Sequence, residues 1–286
     1  MYIIISEISK KTLRKKDTIP EKKITKWEPD DFELEMTTVW SFPERGNWAT
    51  HDSKWRGNWS PYIPRNIMLR YSNAGDWVLD QFAGGGTSLV EAKLLNRNII
   101  GTDVNDIALE RCKEKTDFEH EGADGRVEIR KADARNLDFI KDESIDLICT
   151  HPPYANIIHY SEGQDIPEDL SNCTVNEFYK QMESVASESY RVLKKGKFCA
   201  ILMGDTRKKG HMIPMSFEVM RIFENAGFIA FICQVCNIQA VFFCIGGKLH
   251  MRGEDFNDFI IILCRHTVIN LGVKLKHINY FVVIDR

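Results

Sequence analysis

The sequence predicts a doubly wound α/β fold, and two stretches of alternating pattern lead there. Residues 76–82 (DWVLDQF) form an apolar run that stops in glycines, residues 87–96 have helical spacing, and residues 98–104 return to an apolar run. Strand, helix, strand is the unit that builds a parallel sheet. The alternation then continues: 145–150 reads as a strand, 175–193 as a long amphipathic helix and 198–205 as a strand. Residues 214–226 read as a helix with proline in its first turn, and 227–238 and 256–265 as the last two strands. Residues 1–35 form a charged extension, and 36–286 are expected to be one domain with any recognition loops embedded in it.

The chain has 286 residues, 43% hydrophobic and 28% charged, with a formal net charge of −3. That balance is ordinary for a globular protein and does not announce a nucleic-acid binder, so any such role rests on local patches. One basic stretch is Lys10, Lys11, Arg14, Lys15, Lys16, Lys22, Lys23 and Lys26. It reads either as a solvated arm or as a phosphate contact. The apolar start, residues 2–5, is too short for a signal peptide or a membrane span. Several of the eight cysteines sit inside apolar runs, as reduced thiols in a cytoplasmic protein do. Cys233 and Cys236 make a C-x-x-C pair, but on a strand residues three apart face opposite ways, and no second ligand pair completes a metal site. Buried thiols are the expectation, and no metal.

Asp80-Gln-Phe-Ala-Gly-Gly-Gly-Thr87 lies where the first strand turns into the first helix. Glycines there let a ligand approach the backbone. No lysine follows them, which argues against a phosphate cradle, and the third glycine of a dinucleotide fingerprint is missing. The acid at position 80 suits a ligand with a cationic amine. Asp103 ends the second strand, where an acid takes the ribose hydroxyls of an adenosine. Asp133 is placed to meet the adenine amino group, although it also reads as a helix cap. Acids around glycines without a phosphate donor fit S-adenosylmethionine better than a nicotinamide dinucleotide.

The strand at 145–150 runs directly into His151-Pro152-Pro153-Tyr154. The prolines stiffen the loop and leave carbonyls free to accept hydrogen bonds. An exocyclic amine of adenine or cytosine is a poor nucleophile because its lone pair is delocalised into the ring. Two acceptors on that amine, the His151 side chain and the Pro152 carbonyl, would favour a nitrogen able to attack a sulfonium methyl. Tyr154 would stack on a flipped base. An imidazole in that role must be neutral, so activity is expected to fall below about pH 6.5, the ordinary histidine value.

In these motifs the chain resembles the prokaryotic DNA amino-methyltransferases, the N6-adenine and N4-cytosine enzymes of restriction–modification systems, over about residues 36–230. Their cofactor motif is similar to Asp80, Phe82, Gly84 and Gly86, followed by Thr87, and their catalytic motif to His151–Tyr154. A further N-terminal cofactor motif is similar to the segment 40–70, including Arg45-Gly-Asn-Trp48. Met203-Gly-Asp-Thr-Arg-Lys208 resembles a subgroup. The family implies a Rossmann-like, mostly parallel seven-stranded methyltransferase sheet with a C-terminal hairpin. It also implies S-adenosylmethionine bound by Trp48, Asp80, Phe82, Gly84, Gly86, Thr87, Asp103 and Asp133, and DNA as the partner. A cognate restriction endonuclease is left open.

His151 departs from the family's usual Asp, Asn or Ser. Arg45, Lys54 and Arg56 interleave with Trp48, Trp55 and Trp59, and together with Arg207 and Lys208 they are the candidate nucleic-acid contacts. Tryptophans packing the domain entry would leave the same pattern. Two other readings stand beside DNA methylation: a tRNA guanine-N2 methyltransferase, and a non-catalytic nucleic-acid-binding module on the same fold. Choice between adenine and cytosine is not legible.

Overall fold

A computed structural model describes residues 24–238, except 43, 162–163, 165 and 209–210, and then 243–245, 248–250 and 258–265. The basic run up to Lys23 therefore lies outside the described residues. So do the side chains of Arg207, Lys208, Cys233 and Cys236.

The elements in order are β1 (Val39–Phe42), α1 (Tyr62–Tyr71), β2 (Trp77–Asp80), α2 (Thr87–Leu94), β3 (Asn98–Asp103), α3 (Asp106–Thr116), β4 (Val127–Lys131) and β5 (Ile145–Thr150). Then come α4 (Val175–Val192), β6 (Leu193–Gly204), a small hairpin of β7 (Thr206–Lys208) and β8 (His211–Ile213), and α5 (Met215–Asn225). The chain closes with β9 (Phe228–Ile238), a second small hairpin of β10 (Phe243–Ile245) and β11 (Lys248–His250), and β12 (Asp258–Arg265). One sheet carries eight strands in the order β1-β9-β12-β6-β5-β2-β3-β4. The five neighbours from β6 to β4 are parallel, and β12 runs antiparallel between β6 and β9. The expected C-terminal hairpin is thus β9 against β12.

The strand count corrects the expected seven to eight. The additional strand is β1, four residues that pair in parallel with β9, Val39 opposite Val235. β4 (VEIRK) went unread because its residues are polar or only half-buried, as befits a sheet edge.

Two cores flank the sheet. Leu79, Ile148 and Ile201 face α4 and α5 through Phe178, Met182, Val185, Val219 and Phe223. Val78, Leu147 and Ala200 face α1 and α2 through Ile63, Ile67, Leu89 and Ala92. Alternate residues of each strand serve opposite faces, which is why these strands read as continuous apolar runs. α4 begins at a capping box, the Thr174 side chain on the Glu177 amide and the Glu177 carboxylate back on Thr174. β5, buried along its whole length, lies between β2 and β6. Its carboxyl end therefore opens beside the glycine loop, where the strand order changes direction and ligands of such sheets bind.

Candidate active site

Around these strand ends is a cleft of about 750 Å³, including space open to solvent. Its floor is Phe82–Gly85 and Asp103–Asn105, with His151 and Pro153 on one side and Asp133 on another. Trp55, Asn58, Trp59, Tyr160, Asp169 and Leu170 complete the wall.

The glycine loop is held from below. Gly86 has φ +78° and begins α2, and a Cβ there would stand 3.3 Å from the Cys112 backbone. A Cβ on Gly85 would stand 2.8 Å from both Asn58 and Trp55, so this glycine is required by close approach from above. Asp103 accepts from the Gly84 amide at 2.9 Å through one oxygen and from the Asn105 amide at 2.9 Å through the other. Each oxygen keeps a lone pair for a ribose hydroxyl. Burial pushes the Asp103 carboxyl up to about 6.

Asp80 has a different place from the one expected. Its carboxylate accepts from the Phe82 amide at 3.0 Å, the Thr150 hydroxyl at 2.9 Å and the Ser88 hydroxyl, and it is 1% exposed. It ties together the ends of β2 and β5 and the first turn of α2, with its oxygens turned away from the cleft. Trp48 is also in the core, its Nε1 donating to Glu91 at 2.7 Å. Thr87 donates to Asn58 at 2.6 Å instead of lining the cleft. Asp133 does line it, but Arg135 grips its carboxylate, with Nε 2.9 Å from each oxygen. The structure thus brings Phe82, Gly84, Asp103 and Asp133 to the cleft and leaves Trp48, Asp80, Gly86 and Thr87 behind it as supports.

The strap over the loop, residues 52–59, carries most of the interleaved cations and tryptophans. Trp55 and Trp59 line the cleft, and Trp55 lies parallel to Tyr160 with ring centroids 6.1 Å apart. Arg45 is a correction: its guanidinium donates inward to the carbonyls of Asn58 at 2.7 Å and Asp52 at 3.3 Å, fastening the strap rather than meeting phosphate. Asp52 is pinned in turn by Lys115 and Arg111. Lys54 and Arg56 are exposed.

His151 stands with Nε2 2.9 Å from the Tyr154 hydroxyl and its ring 5.5 Å from that of Trp59. Burial pulls its pKa down to about 4, so it is neutral across the ordinary pH range. The loss of the neutral imidazole thus belongs near pH 4 rather than at the ordinary histidine value of about 6.5.

S-adenosylmethionine fits the residues present. The cleft is lined by Asp103, Asp133, Glu168 and Asp169 and by no lysine or arginine among the described residues. Such a lining repels phosphate and suits a ligand bearing sulfonium and ammonium charges. No group of three or more potential metal ligands occurs among the described residues, and no described helix is long and apolar enough to cross a membrane.

The sequence and the fold find matches among known proteins. The family described as RMKL-like, methyltransferase domain, matches residues 67–212, just over half of the chain. The chain belongs to that methyltransferase family. A DNA methylase family also matches residues 2–114, which supports the resemblance to the DNA amino-methyltransferases. A tRNA (guanine(10)-N2)-dimethyltransferase of Methanothermobacter thermautotrophicus is 36% identical over 100 residues, 35% of this chain and 28% of that protein. The type II methyltransferase M.HpaI of Haemophilus parainfluenzae is 32% identical over 131 residues, 45% of this chain and 38% of its own. The type II methyltransferase M2.DpnII of Streptococcus pneumoniae is 32% identical over 91 residues, 30% and 32% of the two chains. The matched segments span well under half the length of these relatives. Among solved structures, TrmN from Thermus thermophilus has a TM-score of 0.50 at 18% identity, over 74% of this chain and 50% of its own. The geranyl diphosphate C-methyltransferase of Streptomyces coelicolor scores 0.51 at 12% identity, over 72% and 79%. These structures share the fold, and the S-adenosylmethionine read from the glycine loop is the cofactor of such methyltransferases.

Proposed function

We propose that the chain methylates the exocyclic amino nitrogen of a flipped-out base in DNA, N6 of adenine or N4 of cytosine, at a specific site. The observation that carries this is the placement of His151 and Pro153 in the same cleft as Asp103 and the glycine loop. The bound cofactor supplies an electrophilic methyl on a sulfonium. Neutral His151 accepts a hydrogen bond from the amine. With its proton on Nε2, donated to the Tyr154 oxygen, Nδ1 is the acceptor. The Pro152 carbonyl is the second acceptor, and the Tyr154 ring stacks on the base. The exposed Lys54 and Arg56, on the strap, and Arg207 and Lys208, on the β7–β8 hairpin, are the proposed phosphate contacts. The DNA methylase match and the type II relatives favour DNA.

A second reading, guanine N2 in tRNA, is favoured by the tRNA-modifying relative. The two separate in one assay: transfer of a tritiated methyl group to genomic DNA and to unmodified tRNA in parallel. Label in DNA, lost in Tyr154→Ala and Pro153→Ala with cofactor affinity kept, is the expected result. Label in tRNA alone sinks the DNA reading.

A further inference from the structure

Asp169 has no role in any motif read from the sequence, yet it lines the cleft and is only 6% exposed. One of its oxygens accepts from the Ser171 amide at 2.8 Å, capping the short turn Leu170–Asn172. The other, Oδ2, is buried and has no hydrogen-bond partner among the described residues. A buried carboxylate oxygen left without a donor is costly, and on a residue that lines a cleft it asks for a ligand that brings one.

Its position is fixed. The Tyr160 amide donates to the Ser171 hydroxyl at 3.0 Å, and Asn105 at the end of β3 donates to the Tyr160 carbonyl at 3.0 Å. The segment bearing Asp169 is thereby fastened to the strand that bears Asp103, and the two carboxylates are close enough to repel each other. The other acids expected to hold the cofactor are already engaged: Asp80 is enclosed by three donors and Asp133 is held by Arg135.

We propose that Asp169 Oδ2 accepts a hydrogen bond from an N–H or O–H of the adenosyl group, across the cleft from Asp103. This rests on the S-adenosylmethionine reading above. An adenosyl group offers such donors at the ribose hydroxyls and the purine amine, and a carboxylate can only accept from them. Asp103 supplies the floor acceptor and Asp169 the wall acceptor.

Asp169→Asn isolates the contact. Asparagine caps a turn as well as aspartate does, so its oxygen stays on the Ser171 amide and an NH₂ donor replaces Oδ2. Calorimetric titration with S-adenosylhomocysteine, and separately with adenosine, reads the effect without turnover. Both ligands are expected to bind at least about tenfold more weakly to the variant, about 1.4 kcal/mol per tenfold. Asp169→Ser, which also keeps a capping oxygen, should behave the same way. Unchanged affinity in either variant makes Asp169 a turn cap only and overturns the proposal. A loss for S-adenosylhomocysteine without a loss for adenosine moves the contact to the amino-acid end and overturns the adenosyl assignment. Failure of the unaltered chain to bind S-adenosylhomocysteine instead refutes the methyltransferase reading beneath it.

Discussion

Replacing Asp80 by asparagine should stabilise the cofactor-free protein at neutral pH while leaving it nearly unchanged in acid. Burial raises the Asp80 carboxyl from an ordinary 3.8 to about 6, despite three hydrogen bonds that favour its charged form. A folded-state pKa above the unfolded one means that the folded state holds its proton more tightly between the two values. The group's ionisation then costs stability as pH rises through about 6, and the cost is absent below about 4. Two units at about 1.36 kcal/mol each give a cost of about 3 kcal/mol at pH 7. Asparagine never ionises. Its oxygen can accept from the Phe82 amide and the Thr150 hydroxyl, and its NH₂ can donate to the Ser88 oxygen, so the junction of β2, α2 and β5 keeps its ties. The assay is urea unfolding followed by tryptophan fluorescence, at intervals from pH 4 to pH 7.5. Subtracting the parent curve from the variant curve removes the groups that Asp80 does not touch; Asp103, whose carboxyl the Asp80 charge helps to raise, adds to the difference in the same direction. The difference should climb by about 3 kcal/mol between pH 4 and pH 7. A flat difference, or one that falls with rising pH, refutes the reasoning.

Two further predictions test the supports of the site. Turnover should be level from pH 8 down to about 5 and fall only as pH approaches the His151 value of about 4; a midpoint near 6.5 in the kcat profile contradicts a buried, neutral acceptor. Glu91→Ala should cost about 3–5 kcal/mol in urea unfolding, because it removes the buried partner of the Arg65 guanidinium and leaves the largely exposed Glu28 carboxylate in its place. Glu91 is fully buried, bonded to Trp48 and His51 at 2.7 Å and to Arg65 at 3.0 Å. A loss under about 1 kcal/mol would show that the network is dispensable.

Much of the fold was legible because its central strands are buried on both faces. Residues 76–82, 98–104 and 145–150 read as apolar runs, and each became a neighbouring strand of one sheet. β1 was not legible: four residues carry little pattern, and its partner β9 lies far along the chain. The position of His151-Pro-Pro-Tyr followed from its strand, so the meeting of His151 and Pro153 with the glycine loop was foreseeable. The inward turn of Asp80 was not, since it depends on Ser88 and Thr150 converging from two other elements. The sequence left Trp55 and Trp59 open between a nucleic-acid surface and packing at the domain entry, because cations interleaved with aromatics look alike on a DNA-facing loop and on a strap over a ligand cleft. Asp169 gave no signal, because an aspartate in a polar loop is indistinguishable from a solvated one until the cleft wall is folded.

The tetrapeptide Arg-Gly-Asn-Trp occurs twice, at 45–48 and 56–59, and the two copies have parted company. Both glycines turn the chain at positive φ, +88° at Gly46 and +74° at Gly57, so the string encodes one local bend. Beyond that bend the neighbourhood decides. Trp48 is sealed against Glu91, whereas Trp59 faces His151. Arg45 reaches back to fasten the second copy, whereas Arg56 is exposed. Anyone comparing this chain with a relative that has a single copy faces a choice of two registers, eleven positions apart. One register transfers a ligand-facing role to a foundation stone, and only the glycine loop beneath Asn58 tells the copies apart.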